Sequence, residues 1–456
     1  MEQDGEIDAL REQVRSITSD IIRGVQHRME LARQIGEIKN RRSLEVKDEK
    51  VEREIRSMAL SVAGEVGMNA DFALRLLNIL LDESESVQTL GRRPAEKQTH
   101  LGVFMKAREL EASGKEIIHL EVGEPDYPPP RAVGDSLAQS FKMKRYHYTE
   151  TRGVASLRDA IAEKEGVPGD RIIVTPGGRF AVFSAITALL KPGNELIVIE
   201  PSWPAYKECA DFIGAKTRIL KTTMADSWTP DLDELEEMIG PATRMLVINY
   251  PNNPTGKILQ PQVLERIVSI AKDHSLYLLS DEVYADYSFG AVFRSIIDFD
   301  YDRAIMVSSF SKRYAMTGFR VGYAVATKDL TDKMTQVQAV GITSVAEPMQ
   351  YAALAAVHQP FEDNVKTMKT RLDFVCSKLE KMGLKFVRPD GAMYVFAELG
   401  LDDMTLVNRL LERGVAVAPG SGFGDSYKKY IRISACRPVE VLEKGLDKLA
   451  SLLQEL

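Results

Sequence analysis

Ser308-Ser-Phe-Ser-Lys-Arg-Tyr-Ala-Met-Thr-Gly-Phe-Arg-Val-Gly-Tyr323 is the stretch that organises the larger part of this chain. It continues an apolar run, Ala304 to Val307, that reads as a buried strand. The strand opens into small hydroxyl residues, presents Lys312 and then supplies Arg320. A lysine at a strand end beside serines is a candidate imine-forming amine, because a lysine pKa falls readily on desolvation. Taken alone, the stretch reads better as a strand followed by a surface lysine. The rest of the chain reverses that.

Outward from it, strands alternate with helices. Arg171–Thr175, Glu195–Glu200, Thr217–Leu220, Met245–Asn249, Leu276–Ser280, Ala304–Val307 and Val321–Ala326 read as strands. Phe180–Leu190, Leu232–Ile239 and Gln262–Lys272 are among the helices between them. Such alternation predicts an α/β domain with a mostly parallel sheet covered on both faces. Ligand residues should then gather at the carboxyl ends of the strands. A long helical stretch, about Glu347 to Met382, precedes a mixed tail of strands (Phe386–Arg388, Tyr394–Glu398, Val415–Ala418, Tyr430–Ser434) and a final helix. The tail predicts a smaller α+β subdomain, joined by residues near 101–125.

The strand ends carry the chemistry. Asn249-Tyr-Pro-Asn-Asn-Pro-Thr-Gly256 follows one strand, Ser280-Asp-Glu-Val-Tyr284 the next, and the Lys312 stretch the one after. Gly177-Gly-Arg179 stands between a strand and a helix, where free N–H groups favour a phosphate, and Pro201-Ser-Trp203 follows another strand. Singly these read as a turn, a helix cap and a core tryptophan. Jointly, and in this order, they resemble the fold-type I aminotransferases that use pyridoxal 5′-phosphate.

That resemblance runs from about residue 93 to 456. It implies that Lys312 forms the imine and moves the proton, and that Asp281 pairs with the pyridinium nitrogen. Tyr284 and Asn253 would hydrogen-bond the ring phenolate, and Trp203 would stack on the ring. The phosphate would take the amides of Gly178 and Arg179, the hydroxyls of Ser309 and Ser311, Arg320, and Tyr148 (from Tyr148-Thr-Glu-Thr-Arg-Gly153) of a neighbouring subunit. Arg432, in Tyr430-Ile-Arg-Ile-Ser434, would fork the substrate α-carboxylate, helped by Asn253 and the backbone of Gly123 in Val122-Gly-Glu-Pro-Asp126. Arg179 matches a position where the aspartate and prephenate branch uses a lysine for a second carboxylate; it also reads as a phosphate-side or solvated arginine.

The first ninety residues read differently. Apolar residues at Ile7, Leu10, Val14, Ile17, Ile21, Val25, Ile35 and Ile38 predict one amphipathic helix from Glu6 to about Asn40. At roughly 50 Å it is longer than a small domain can cover and needs a partner, most simply a second copy. A second helix is predicted from near Asp48, fading at Gly64 and Gly67. A third, capped by Asn69 or Asp71, runs to about Leu90. Arg28 and Lys39 share a face of the first helix, whereas Arg11 lies off it and is better placed to reach a neighbouring subunit. Asp48 with Glu52, and Ser84 with Gln88, stack one turn apart. These residues read either as a solvated charged face or as a pocket for a small polyanion.

Ile7-Asp-Ala-Leu-Arg-Glu-Gln-Val14, His27-Arg-Met-Glu-Leu-Ala32, Gly36-Glu-Ile-Lys39, Val46-Lys-Asp48 and Asp82-Glu-Ser84 through Gln88 resemble the all-helical chorismate mutase family. The resemblance implies an intertwined dimer in which Arg28, and Arg11 from the other subunit, hold the two carboxylates of chorismate. Lys39 and Gln88 would serve the ether oxygen, Asp48 and Glu52 the ring hydroxyl region, and Ser84 a carboxylate. A pericyclic rearrangement needs only a held conformer and stabilised charge on the breaking C–O bond. One departure is Val51, where the family often has arginine.

The expected organisation is therefore a helical domain over 1–90, a linker over 91–100 and an aminotransferase over 101–456. The last would have a large domain of about 126–327 and a small one of 101–125 plus 328–456. Composition agrees: in 456 residues, 44% apolar and 27% charged content is ordinary for a globular protein, and the net charge of −7 marks neither nucleic acid nor membrane as partner. Three separated cysteines make no disulfide framework or metal cluster. The acidic start, Met1-Glu-Gln-Asp-Gly-Glu, lacks the apolar core of a signal peptide, so a cytoplasmic location is expected. The expected function is bifunctional: chorismate to prephenate, then transamination of prephenate or an arylpyruvate with glutamate or aspartate as donor. The alternative is an aspartate aminotransferase whose helical domain acts separately or in regulation. A pyridoxal-phosphate-sensing transcription regulator is disfavoured, because residues 1–90 carry 13 Lys+Arg against 18 Asp+Glu.

Overall fold

The computed structural model describes residues 2–41, 49–89 and 100–455. The chain divides into two compact units, 1–97 and 98–456. Asp48 and most of the expected linker, 91–99, lie outside the described residues.

The first unit is three helices: α1 (Glu2–Arg41), α2 (Glu49–Glu65) and α3 (Ala70–Thr89). Gly67, at φ 68°, ends α2: the Met68 N–H reaches back to the Ala63 carbonyl at 2.8 Å, a left-handed stop that glycine permits. Asn69 then caps α3, its Oδ1 accepting from the Phe72 N–H at 3.0 Å. Small residues let the helices close up. Ala32, Ala63 and Ala73 are buried, and a Cβ on Gly36 would stand 2.7 Å from the Cα of Gln88. Much of the apolar stripe stays uncovered within one chain, with Leu10 57%, Val14 63% and Ile21 58% exposed.

The second unit opens with a helix that the sequence reading did not name, α4 (His100–Ala112), followed by β1 (Ile118–His119). The larger sheet then takes β2 (Ile172–Thr175), β3 (Glu195–Glu200), β4 (Lys216–Lys221), β5 (Thr243–Asn249), β6 (Tyr277–Asp281), β7 (Ala304–Ser309) and β8 (Gly322–Val325). Their order is β2-β8-β7-β6-β5-β3-β4, with β8 antiparallel to both neighbours and the rest parallel. Branched runs such as Ile172-Ile-Val-Thr175 are buried along their whole length because helices cover both faces.

The smaller sheet comprises β9 (Lys385–Phe386), β10 (Tyr394–Glu398), β12 (Ala418–Pro419) and β13 (Tyr430–Ser434), in the order β12-β13-β10-β9; β11 (Val415–Ala416) pairs instead with β1. The expected strand Val415–Ala418 is thus two short strands in different sheets, parted at Val417. The expected long helix is also two, Glu347–Ala356 and Glu362–Lys381, because Pro360 between them has no N–H to continue the ladder. Leu330 and Met334 belong to one core layer of the large sheet and Val345 to Val357 to the other, whereas Phe361 is the first residue after them in the smaller core. No described helix is long and apolar enough to cross a membrane.

Candidate active site

A cavity of about 390 Å³ opens at the carboxyl ends of β5, β6 and β7, walled from the other side by β10, β13 and α4. Lys312 enters it on the short helix Phe310–Arg313, which starts as β7 ends and is capped by Ser309 accepting from the Ser311 N–H at 3.1 Å. The Lys312 ammonium donates to the Gly123 carbonyl, and the Tyr287 hydroxyl donates to the Lys312 carbonyl at 3.0 Å. Asp281 closes β6, buried. Burial pushes its carboxyl up to about 6, although hydrogen bonds from the Tyr206 hydroxyl (2.7 Å) and the Val283 N–H (3.3 Å) pull the other way. Asn249 donates to the Asp281 carbonyl at 2.9 Å and accepts from the Asn253 N–H at 3.0 Å, which ties the two strand ends together.

The Tyr284 hydroxyl lies 2.7 Å from that of Tyr394, and burial pushes the Tyr284 phenol up. Arg432, in the middle of β13, is 3% exposed. It donates to Asn253 Oδ1 at 2.9 Å and to the Glu121 carbonyl, and its guanidinium lies 4.3 Å from the Tyr394 ring centre and 4.9 Å from that of Phe423. Its Nε is buried without a partner among the described residues. On the opposite wall, Gly177 (φ 81°) turns the chain from β2 into the helix Gly178–Leu189, and a Cβ there would stand 2.6 Å from an Arg320 guanidinium nitrogen. Ser309 and Ser311 bring their hydroxyls within 3.0 Å of each other beside this turn. Arg179 extends along the rim, its guanidinium 4.4 Å above Trp203 and 3.5 Å from Glu208.

In the helical unit, Arg28 on α1 donates to the Leu80 carbonyl at 2.5 Å and to the hydroxyl of Ser84, which is itself buried. Burial lowers the Arg28 pKa. One turn along α3, Gln88 Oε1 is buried without a partner among the described residues. Lys39 and Glu52 are half-buried. Arg11 stands apart, exposed and paired with Asp8 of its own helix at 3.1 Å.

The sequence model for aminotransferase class I and II matches residues 115–449, most of the chain. The chain belongs to that family. A second model, chorismate mutase type II, matches residues 10–89, so the protein is a fusion of the two. An aspartate aminotransferase of Thermotoga maritima is 36% identical over 76% of this chain and 94% of its own length. An aspartate/prephenate aminotransferase of Thermus thermophilus is 33% identical over 77% of this chain and 95% of its own. The crystal structure of an aspartate aminotransferase from Thermotoga maritima superposes with a TM-score of 0.76 at 34% identity, covering 80% of this chain and 99% of that one.

The aminotransferase cavity brings together Gly123, Gly178, Arg179, Trp203, Asn253, Asp281, Tyr284, Ser309, Ser311, Lys312, Arg320 and Arg432. Tyr148 is not brought in: it is 89% exposed. Sequence reasoning missed Phe104, Glu121, Glu124, Tyr206, Thr317 and Tyr394, which also line the cavity. Phe104 and Glu121 come from the unnamed helix and the turn after β1. Tyr206 lies only three residues beyond Trp203, a spacing that could have flagged it.

Proposed function

We propose that the chain is a bifunctional enzyme of aromatic amino-acid biosynthesis, rearranging chorismate to prephenate and transaminating prephenate or an arylpyruvate with glutamate or aspartate as donor. We divide it as a mutase over about 1–90 and an aminotransferase over about 101–456. The observation that carries this reading is the convergence of Lys312, Asp281 and Arg432 on one cavity in a chain that also bears a chorismate mutase module.

The cavity fits pyridoxal 5′-phosphate on three counts. The Gly177–Gly178 turn leaves no room for a side chain at Gly177, so its backbone, Ser309, Ser311 and Arg320 form an anion cradle. Asp281 is a buried carboxylate whose raised pKa a cationic ring nitrogen would relieve. Trp203 offers a flat wall between them. The cofactor, once bound, supplies an electron sink for charge left on the substrate's α-carbon. Lys312 Nζ would hold it at rest and, once the substrate amine has displaced it, would be free to take the α-proton. Asp281 holds a cation, and Tyr206 and Val283 keep that carboxylate oriented. Arg432 and Asn253 fork the substrate α-carboxylate, the unpartnered Nε of Arg432 leaving donor capacity for it. Arg179, half-exposed at the rim over Trp203, reaches a second carboxylate, the group that prephenate shares with aspartate and glutamate.

In the mutase module, Arg28, Ser84, Lys39 and Gln88 hold one compact conformer; the buried, unpartnered Gln88 Oε1 marks a polar site between α1 and α3. Asp48, Glu52 and a partner's copy of Arg11 complete the pocket in this reading. The uncovered stripe on α1 supports a homodimer, and the exposed Tyr148 supports one in the second unit as well. We place the enzyme in the cytoplasm.

A second reading, an aspartate aminotransferase with a separately acting or regulatory mutase, is favoured by the name of the Thermotoga maritima relative. Supplying chorismate, glutamate and pyridoxal phosphate and identifying the products separates the two. Arogenate without phenylalanine supports direct use of prephenate. Prephenate accumulating untouched, with brisk turnover of aspartate, overturns it in favour of the second reading.

A further inference from the structure

His119 is held at both ends by carboxylates. Its Nδ1 lies 2.7 Å from Glu121 Oε1 and its Nε2 lies 3.0 Å from Glu111 Oε1, with the imidazole side chain 9% exposed. Ionised carboxylates only accept, so a ring bonded to both must donate from both nitrogens and carry a proton on each. Glu121 is buried, and its second oxygen, Oε2, has no hydrogen-bond partner among the described residues. Glu111, on α4, also takes Arg108 at 3.1 Å, and Arg437, just after β13, donates from Nε to the His119 carbonyl at 3.4 Å. The strand paired with β1 brings only Val415 and Ala416, which carry no charge. One imidazolium therefore stands between a buried carboxylate and a surface one.

The segment that this bridge anchors serves the cavity directly. The Glu121 carbonyl accepts from Arg432, and two residues on the Gly123 carbonyl accepts from Lys312. At the other end, α4 carries Phe104 into the cavity wall, its ring 6.2 Å from the imidazole.

We propose that His119 is a positioning residue for transamination: by bridging Glu111 and Glu121 as an imidazolium, it fixes the Glu121–Gly123 segment and with it the reach of Arg432 to the substrate carboxylate. This rests on the transaminase reading above. The hydrogen bond to Glu121 raises the His119 titration above its ordinary value of about 6.5, and burial opposes the rise. A raised folded-state pKa means that the bridge is complete below that ordinary value and is lost as the pH climbs through the raised one. Above it, a ring nitrogen turns a lone pair toward a carboxylate, the segment loosens, and Arg432 binds substrate less well. Arg432 grips the carboxylate in ground and transition states alike, so the loss falls on KM rather than kcat.

The test follows KM and kcat for glutamate in the full-length holoenzyme from roughly pH 6 to 9, alongside a histidine-ring NMR titration of the same chain. His119→Gln assigns the resonance. In the wild type KM should rise about tenfold through an inflection that coincides with the ring titration, the scale of one charged hydrogen bond. In His119→Gln KM should be raised and flat with pH, and in Glu111→Gln the inflection should move to lower pH. A wild-type KM that stays flat through the ring titration overturns the proposal, as does a His119→Gln profile that follows the wild type. If His119→Gln does not fold, Glu111→Gln decides alone, and an inflection that does not move overturns it. A wild type that never transaminates overturns instead the reading of function, while a ring titrating at its ordinary value removes the bridge in either case.

Discussion

The Tyr206 hydroxyl donates to Asp281 Oδ2 at 2.7 Å, and both side chains are buried. This bond favours the ionised carboxylate that burial disfavours, so it holds Asp281 ready to face a cation. Tyr206→Phe should let the Asp281 pKa climb above its present value of about 6. Binding of the cofactor's cation needs the ionised carboxylate, so the pH below which the cofactor-free protein loses affinity for pyridoxal phosphate should move up by about one unit. Affinity of the apoprotein for pyridoxal phosphate, followed against pH in wild type and variant, checks this; an unmoved limb would sink the assignment.

Asp281→Asn tests the same charge through stability. The folded-state pKa of about 6 lies above the ordinary carboxylate value, so the native chain binds this proton more tightly than the unfolded one does. Stability from this group therefore falls as pH rises through the window up to about 6, by an order of magnitude of 2–3 kcal/mol. The variant without cofactor should melt higher than the wild type at pH 7.5. Transamination should fall by about a hundredfold or more, since the cation loses its partner. Thermal denaturation with and without pyridoxal phosphate, beside an activity assay, reads both effects.

Lys312→Ala should abolish transamination and the visible absorbance of the bound cofactor. Chorismate rearrangement should persist at the wild-type rate, because the two units carry separate sites. Loss of both activities would contradict the two-site reading.

Gly36→Ala should do the reverse. Its Cβ would meet the Gln88 Cα at 2.7 Å and the Gln88 carbonyl at 2.8 Å, backbone atoms that cannot swing aside. Separating the end of α3 from α1 should destabilise the helical unit by about 1–3 kcal/mol and displace Gln88, lowering mutase turnover at least about tenfold. Transamination should be unchanged. Melting of residues 1–97 followed beside both assays checks the split.

How much of this was legible in the sequence differs by residue. The strands Glu195–Glu200 and Tyr430–Ser434 stand where their branched runs put them, because each is buried on both faces along most of its length and a continuous run of that kind leaves a clear pattern. The strand ends that present Asn253, Asp281 and Lys312 were readable for the same reason. The helix His100–Ala112 was not: Gly102 and mixed polarity blur its period, and it packs on β11 and β12 without a clean apolar stripe. Glu121 and Tyr394 reach the cavity through chain reversals that no spacing records, whereas Tyr206, three residues beyond Trp203, was within reach of the reading. The break at Pro360 was signalled by the proline itself, but apolar residues at helical spacing on either side carried the reading across it. Asp48 falls outside the described residues.

The cavity takes Phe104 from near the start of its unit and Arg432 from near the end. On the ribosome these walls emerge on the order of tens of seconds apart at ordinary elongation rates. Over the last part of that interval the nascent chain holds Asp281 and Lys312 with no Arg432 and no β13 to close over them. The helical unit has its own share of the pocket within its first ninety-odd residues and waits only for a partner copy. The fusion thus puts a module that is finished early ahead of one whose site can form only when synthesis is nearly done.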